Sequence, residues 1–111
     1  MEEKQSLNGL TLQFDKWSSM YWSGNYEYNE MFLKATEYYL NDILLKKEYL
    51  SPEKVLDALG MSLNVDTLER MTFLRYRKGY ELKIKVLSPD TMEMFAPMTI
   101  MISYEQKEKQ G

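Results

Sequence analysis

The apolar residues of this chain change their spacing once, and that change decides what it can fold into. Between positions 26 and 47 they recur at intervals of three and four, with Tyr28, Phe32, Ala35, Tyr39 and Ile43 in one series. That is the period of a helix. From Tyr80 the spacing becomes two: Tyr80, Leu82, Ile84 and Val86 alternate with Glu81, Lys83 and Lys85, as in a strand with one face buried. A second alternating run follows Pro97 and puts Met98, Ile100, Ile102 and Tyr104 on one face. Neither pattern can bury its apolar side alone, so helices and sheet must cover each other, and the expected class is α+β with helices first.

The helical half carries its own start and stop signals. Asn25 is a plausible N-cap, Glu27 and Glu30 suit the positive end of the helix dipole, and Lys46 and Lys47 suit the negative end. A long helix is therefore predicted over about 26–47. Met31, Tyr38, Leu40, Leu44 and Leu45 widen its apolar surface, which predicts cover on more than one side. Ser51-Pro52-Glu53 then combines a capping hydroxyl, a proline at the first helical position and an acidic first turn. The short helix this opens, about 52–59, buries Val55, Leu56 and Leu59 and stops at Gly60, a residue suited to a left-handed end.

The remaining segments are read by the same rules. Leu10, Leu12 and Phe14 alternate as a short half-buried strand would. Trp17, Met20, Tyr21 and Trp22 precede a Ser-Gly-Asn breaker and are read as stapling that loop to the core; an exposed Tyr21/Trp22 pair would instead mark a binding surface. Residues 61–71 are expected to be mostly irregular, the alternative being a short helix capped by Asn64 or Asp66. The C-terminal antiparallel sheet is predicted from about 72–77, 80–87 and 97–104. At 111 residues the chain makes one domain, with mobile ends at about 1–9 and 105–111.

Composition removes much of enzyme chemistry. The chain has neither histidine nor cysteine, so Ser-His-Asp and Cys-His catalysis and the usual zinc sites are excluded. Glu37, Asp42 and Glu81 are the candidate acid–base groups, but nothing in their spacing makes them converge, and solvated charge is the ordinary reading. The five glycines form no phosphate-cradling motif. No metal and no cofactor is expected. The opening MEEKQSLNGL is neither a signal peptide nor a membrane span, which together with the lack of cysteine predicts a cytoplasmic protein without a membrane partner.

Two stretches point toward macromolecular partners. Val55, Leu59, Gly60 and Ser62 loosely fit a helix-turn-helix, but Leu63–Arg70 would offer DNA one arginine against two acids. Better placed is the basic group Arg70, Arg75, Arg77, Lys78, Lys83 and Lys85, opposed between positions 70 and 85 only by Glu81. On alternating strands Arg75, Arg77, Lys83 and Lys85 share the solvent face, against a formal net charge of -3 for the whole chain. The ordinary reading is that they keep that face soluble; the other is a contact for RNA, DNA or an acidic protein. Met101 falls on the same outer face, where an apolar side chain suggests a partner or a second copy.

The segment ATEYYLNDILLKKEYLSPEKVLDALGM, residues 35–61, resembles a motif in small uncharacterised proteins encoded by prophages and integrative elements of Gram-positive bacteria. There the pattern is similar to YYLNDxLL, a linker with an aromatic, and VYDALG; here these fall at Tyr38 to Leu45, at Tyr49 and at Val55 to Gly60. The resemblance implies a mobile-element setting and no catalytic residues. The expectation is a non-enzymatic accessory protein acting through protein contacts and admitting self-association, with Arg75, Arg77, Lys83, Lys85 and Met101 as its contact residues. The alternative is a nucleic-acid-binding module using the same cations.

Overall fold

In the computed structural model, which describes residues 9–47, 49–71, 79–87 and 98–106, three strands and three helices follow the order β1 (Gly9–Phe14), α1 (Tyr26–Lys47), α2 (Pro52–Leu59), α3 (Val65–Arg70), β2 (Tyr80–Val86) and β3 (Met98–Gln106). The class is α+β. α1 and α2 fall within the bounds read from their caps. Asn25 Oδ1 accepts from the Tyr28 amide at 2.9 Å, and Ser51 Oγ accepts from the Lys54 amide at 3.1 Å. Gly60, at φ 75°, closes α2: its amide donates to the Asp57 carbonyl and that of Met61 to the Leu56 carbonyl. These paired bonds satisfy carbonyls that the helix end would leave open.

Among the described residues the sheet has three strands, one of them the N-terminal strand read from Leu10, Leu12 and Phe14. Its order is β1-β3-β2, both pairings antiparallel, so the C-terminal strand is central and the N-terminal strand flanks it. The predicted strand at 72–77 lies outside the described residues. With nine residues β3 is long enough to pair β1 through Met98–Ser103 and β2 through Ile100–Gln106. Its pairing runs beyond the predicted limit of 104. A second difference is α3, six residues in a stretch expected to be irregular: Asn64 caps it, accepting from the Thr67 amide at 3.2 Å, and Met71 directly after it is fully buried.

The core lies between one face of the sheet and the helices. Phe14, Leu82, Met98, Ile100 and Ile102 meet Leu33, Leu40, Leu50, Val55, Leu56 and Leu59 there. The loop after β1 is tied to the end of α2. The buried Ser19 hydroxyl donates to the Leu59 carbonyl at 2.6 Å, and the Met20 amide donates to the Gly60 carbonyl at 3.0 Å. The aromatic cluster of this loop divides. Trp22 sits edge-on to Phe14 at 5.6 Å and the half-exposed Tyr21 lies 5.3 Å from Phe32, whereas Trp17 and Met20 stand in solvent, Trp17 at 84% exposure. The stapling role therefore belongs to Tyr21 and Trp22 only.

The long helix is not covered on several sides. Its buried residues are Asn29, Leu33, Thr36, Leu40 and Leu44, one stripe in which two of five are polar. Asn29 is fully buried because its amide pairs with one residue of the preceding loop, accepting from the Ser23 amide at 3.0 Å and donating to the Ser23 carbonyl at 2.8 Å. Twelve residues on, Asn41 repeats the device on β2: it accepts from the Leu82 amide at 2.7 Å and donates to the Leu82 carbonyl at 2.9 Å. Glu37 Oε2 accepts from the Ile84 amide at 2.8 Å. These α1 side chains supply partners that a further strand would otherwise provide, and so blunt the β2 edge.

Candidate functional site

On the face of the sheet away from the core, the strand register sets two rows of residues that span all three strands. Thr11, Met101 and Lys85 are opposed in one row; Gly9, Ser103 and Lys83 form the next. The fold thus places Lys83, Lys85 and Met101 on one face, with Met101 half-buried at its centre and Lys85 exposed. Arg75 and Arg77 lie outside the described residues. The cations here do not stand alone. Lys85 Nζ is 2.8 Å from Glu105 Oε2, and Lys83 Nζ is 3.6 Å from Glu81 Oε2. Glu81 and Glu105 are themselves directly opposed across the two strands, an unfavourable pair that the neighbouring lysines offset.

Glu105 was not among the predicted site residues because it falls in the stretch read as a tail. The signal was present: alternation through Tyr104 carries one step further and sets position 105 on the polar face. Among the described residues this face therefore carries signs in balance, Lys83 and Lys85 against Glu81 and Glu105, with an apolar centre.

A second exposed surface lies on α1. Tyr28, Met31, Ala35, Tyr38, Asp42 and Leu45 all face solvent, and the large apolar members are 52%, 70%, 81% and 66% exposed at Tyr28, Met31, Tyr38 and Leu45. Their spacing is three, four, three, four, three. At 3.6 residues per turn this seam lies about 180° around the helix from Leu33, Leu40 and Leu44. Sequence reading places Tyr28, Met31, Ala35, Tyr38 and Leu45 on the covered apolar surface, and Asp42 in solvent, because apolar spacing alone does not say which of two apolar faces the sheet will take.

The candidate acid–base groups are engaged in structure. Glu37 holds the Ile84 amide, Asp42 pairs with Lys46 at 3.1 Å, and Glu81 with Lys83. Among the described residues no group of three or more carboxylates is placed to hold a cation. The segment compared with a helix-turn-helix ends in the six-residue α3, less than two turns long, with Arg70 beside the acids Asp66 and Glu69. Where α1 meets α2, Lys54 lies 5.5 Å from the centroid of the Tyr39 ring. Its hydrogen bond with the Tyr39 hydroxyl holds the ammonium pKa above the ordinary lysine value. Among the described residues no helix is long and apolar enough to cross a membrane.

Comparison with known proteins places the chain in a family and gives it no activity. The model of a family of unknown function, DUF6353, matches residues 2–67, more than half of the 111 residues. That span takes in β1, α1 and α2 and ends within α3. No curated protein and no solved structure matches the chain.

Proposed function

Since the chain belongs to the family of unknown function DUF6353, we propose a reading drawn from its surfaces: a non-enzymatic accessory protein of a phage or mobile element, acting in the cytoplasm through protein–protein contacts. The mobile-element setting rests on the resemblance of residues 35–61. The contact surface is the outer sheet face around Met101, Lys83 and Lys85. One observation carries the preference for a protein over a nucleic acid: each of these lysines has a carboxylate on the same face, Glu81 beside Lys83 and Glu105 beside Lys85. A phosphate backbone would have to displace those carboxylates or accept their repulsion, whereas a protein surface can match mixed signs around an apolar centre.

Fluorescence anisotropy with labelled single- and double-stranded oligonucleotides tests this. At about 50 mM salt, where non-specific electrostatic binding is strong, no association is expected up to tens of micromolar protein. Binding that falls steeply as salt rises, and that is lost in the Lys83→Glu/Lys85→Glu double variant, would establish the nucleic-acid reading instead. The contact reading further expects a host protein to be retained by the parent chain and lost from a Met101→Glu variant of equal thermal stability.

A further inference from the structure

We infer that the exposed seam of α1 pairs with the same seam of a second copy of this chain, the two helices running antiparallel. The inference stands apart from the sheet-face reading and uses other residues. The three–four spacing of Tyr28, Met31, Ala35, Tyr38, Asp42 and Leu45 is that of helices packed nearly side by side over several turns. Four of the six positions carry large apolar side chains that are more than half exposed, a patch that a partner would cover.

The charges choose the direction. The first turn of α1 is acidic, with Glu27, and its last turn is basic, with Lys46 and Lys47. An antiparallel pair sets each acidic end beside a basic end of the other copy and opposes the two helix dipoles favourably. A parallel pair would bring like ends together and stack Asp42, the seam's one charged residue, against its own copy.

Size fits as well. With a two-fold axis through the middle of the helix, near positions 36 and 37, Ala35 faces Tyr38 of the second copy, Met31 faces Asp42, and Tyr28 faces Leu45. The small side chain thus lies opposite the large ring. Taking about 200 Å² for a fully exposed side chain of this size, the exposed parts of Tyr28, Met31, Tyr38 and Leu45 offer roughly 500 Å² per chain, hence about 1,000 Å² across the pair, the lower limit of a specific interface. The association is therefore weak, with a Kd of roughly 10–100 µM.

Sedimentation velocity of the full chain between about 5 and 500 µM, a range that brackets that Kd, reads the outcome. A monomer–dimer transition is expected; Tyr38→Glu should abolish it, and Asp42→Leu should tighten it about tenfold or more. Because the chain contains no cysteine, single-cysteine variants report the direction. Tyr28→Cys mixed with Leu45→Cys should yield the mixed disulfide in preference to either homodimer under mild oxidation. A strict monomer over the whole range, as expected if the seam serves a different protein, would overturn the inference. So would a dimer indifferent to Tyr38→Glu, or homodimeric disulfides in place of the mixed one.

Discussion

Replacing Gly60 by valine is expected to lower stability by about 4 kcal/mol, a large part of what a domain of this size has available. Two separate costs combine. The backbone sits at φ 75°, a region that a β-branched residue enters only under strain of roughly 1–3 kcal/mol. A Cβ at this position would also lie 2.5 Å from Cδ2 of the Tyr21 ring and 3.0 Å from Ser19 Oγ, an overpacking cost of about 1–3 kcal/mol. Urea unfolding separates the two. Gly60→Asn tolerates the left-handed backbone better than Gly60→Val and keeps only the clash, while adding Tyr21→Ala to Gly60→Val relieves the ring contact and leaves the strain. Loss of less than about 1 kcal/mol in Gly60→Val, the level of an ordinary surface change, would mean that the loop carrying Ser19 and Tyr21 does not dock on α2 as described.

Asn41→Ala should cost about 3 kcal/mol, because it leaves the amide and the carbonyl of Leu82 without their α1 partner. A change of that size shifts the unfolding midpoint by roughly 10 °C. The loss has a local signature. Amide exchange should accelerate at Leu82 and Ile84 before the rest of β2, and the opened edge should make the variant more prone to aggregate. Asn41→Asp is the informative companion: its carboxylate can still accept from the Leu82 amide but repels the Leu82 carbonyl, so its stability should fall between parent and alanine variant. Equal stability of Asn41→Ala and parent would show that the β2 edge does not depend on α1.

These two residues mark where sequence reading succeeds and where it stops. Gly60 was legible because a glycine after an apolar helical run, with Ser-Pro-Glu eight residues before it, can hardly do anything except end the helix. The caps at Asn25 and Ser51 were legible for the same reason: their chemistry is local. Asn41 was not. Its partner is 41 residues away, and an asparagine on an amphipathic helix looks the same whether it faces water or a strand edge. The identical difficulty hid Asn29 and split the reading of α1: Leu40 and Leu44 are buried and Phe32 and Ile43 pack against the core, as read, while Tyr28, Met31, Tyr38 and Leu45 face outward and the buried stripe contains Asn29 and Thr36. Apolar count does not separate the two sides of that helix: Tyr26, Phe32, Leu33, Leu40, Ile43 and Leu44 pack on the core, and Tyr28, Met31, Ala35, Tyr38, Tyr39 and Leu45 are exposed. The side that is buried combines the apolar stripe Leu33, Leu40 and Leu44 with hydrogen bonds to the Ser23 and Leu82 backbones, and the second of these no periodicity records.

The sheet shows the same division. Alternation identified β2 and β3 and the face each turns to the core. Strand order depends on pairing across the chain, which alternation does not record, and the N-terminal strand lies beside β3. On the outer face, Lys83, Lys85 and Met101 were identified as residues of one surface. The carboxylate of Glu105 that balances Lys85 was lost to a boundary drawn two residues short.

The self-association reading depends on α1 using one side to hold the fold and leaving the other open. Thermal unfolding of Tyr38→Glu and Leu40→Glu, at about 1 µM, where a weak dimer is dissociated, compares those two sides directly. If α1 is anchored by one side only, Tyr38→Glu should melt within about 2 °C of the parent, as a surface change does, while Leu40→Glu, placing a charge in a fully buried position, should fail to fold or melt far lower. A Tyr38→Glu variant destabilised as severely as Leu40→Glu would show that the seam is covered by the chain itself, and would contradict both its availability to a second copy and the picture of α1 as a helix anchored by a single face.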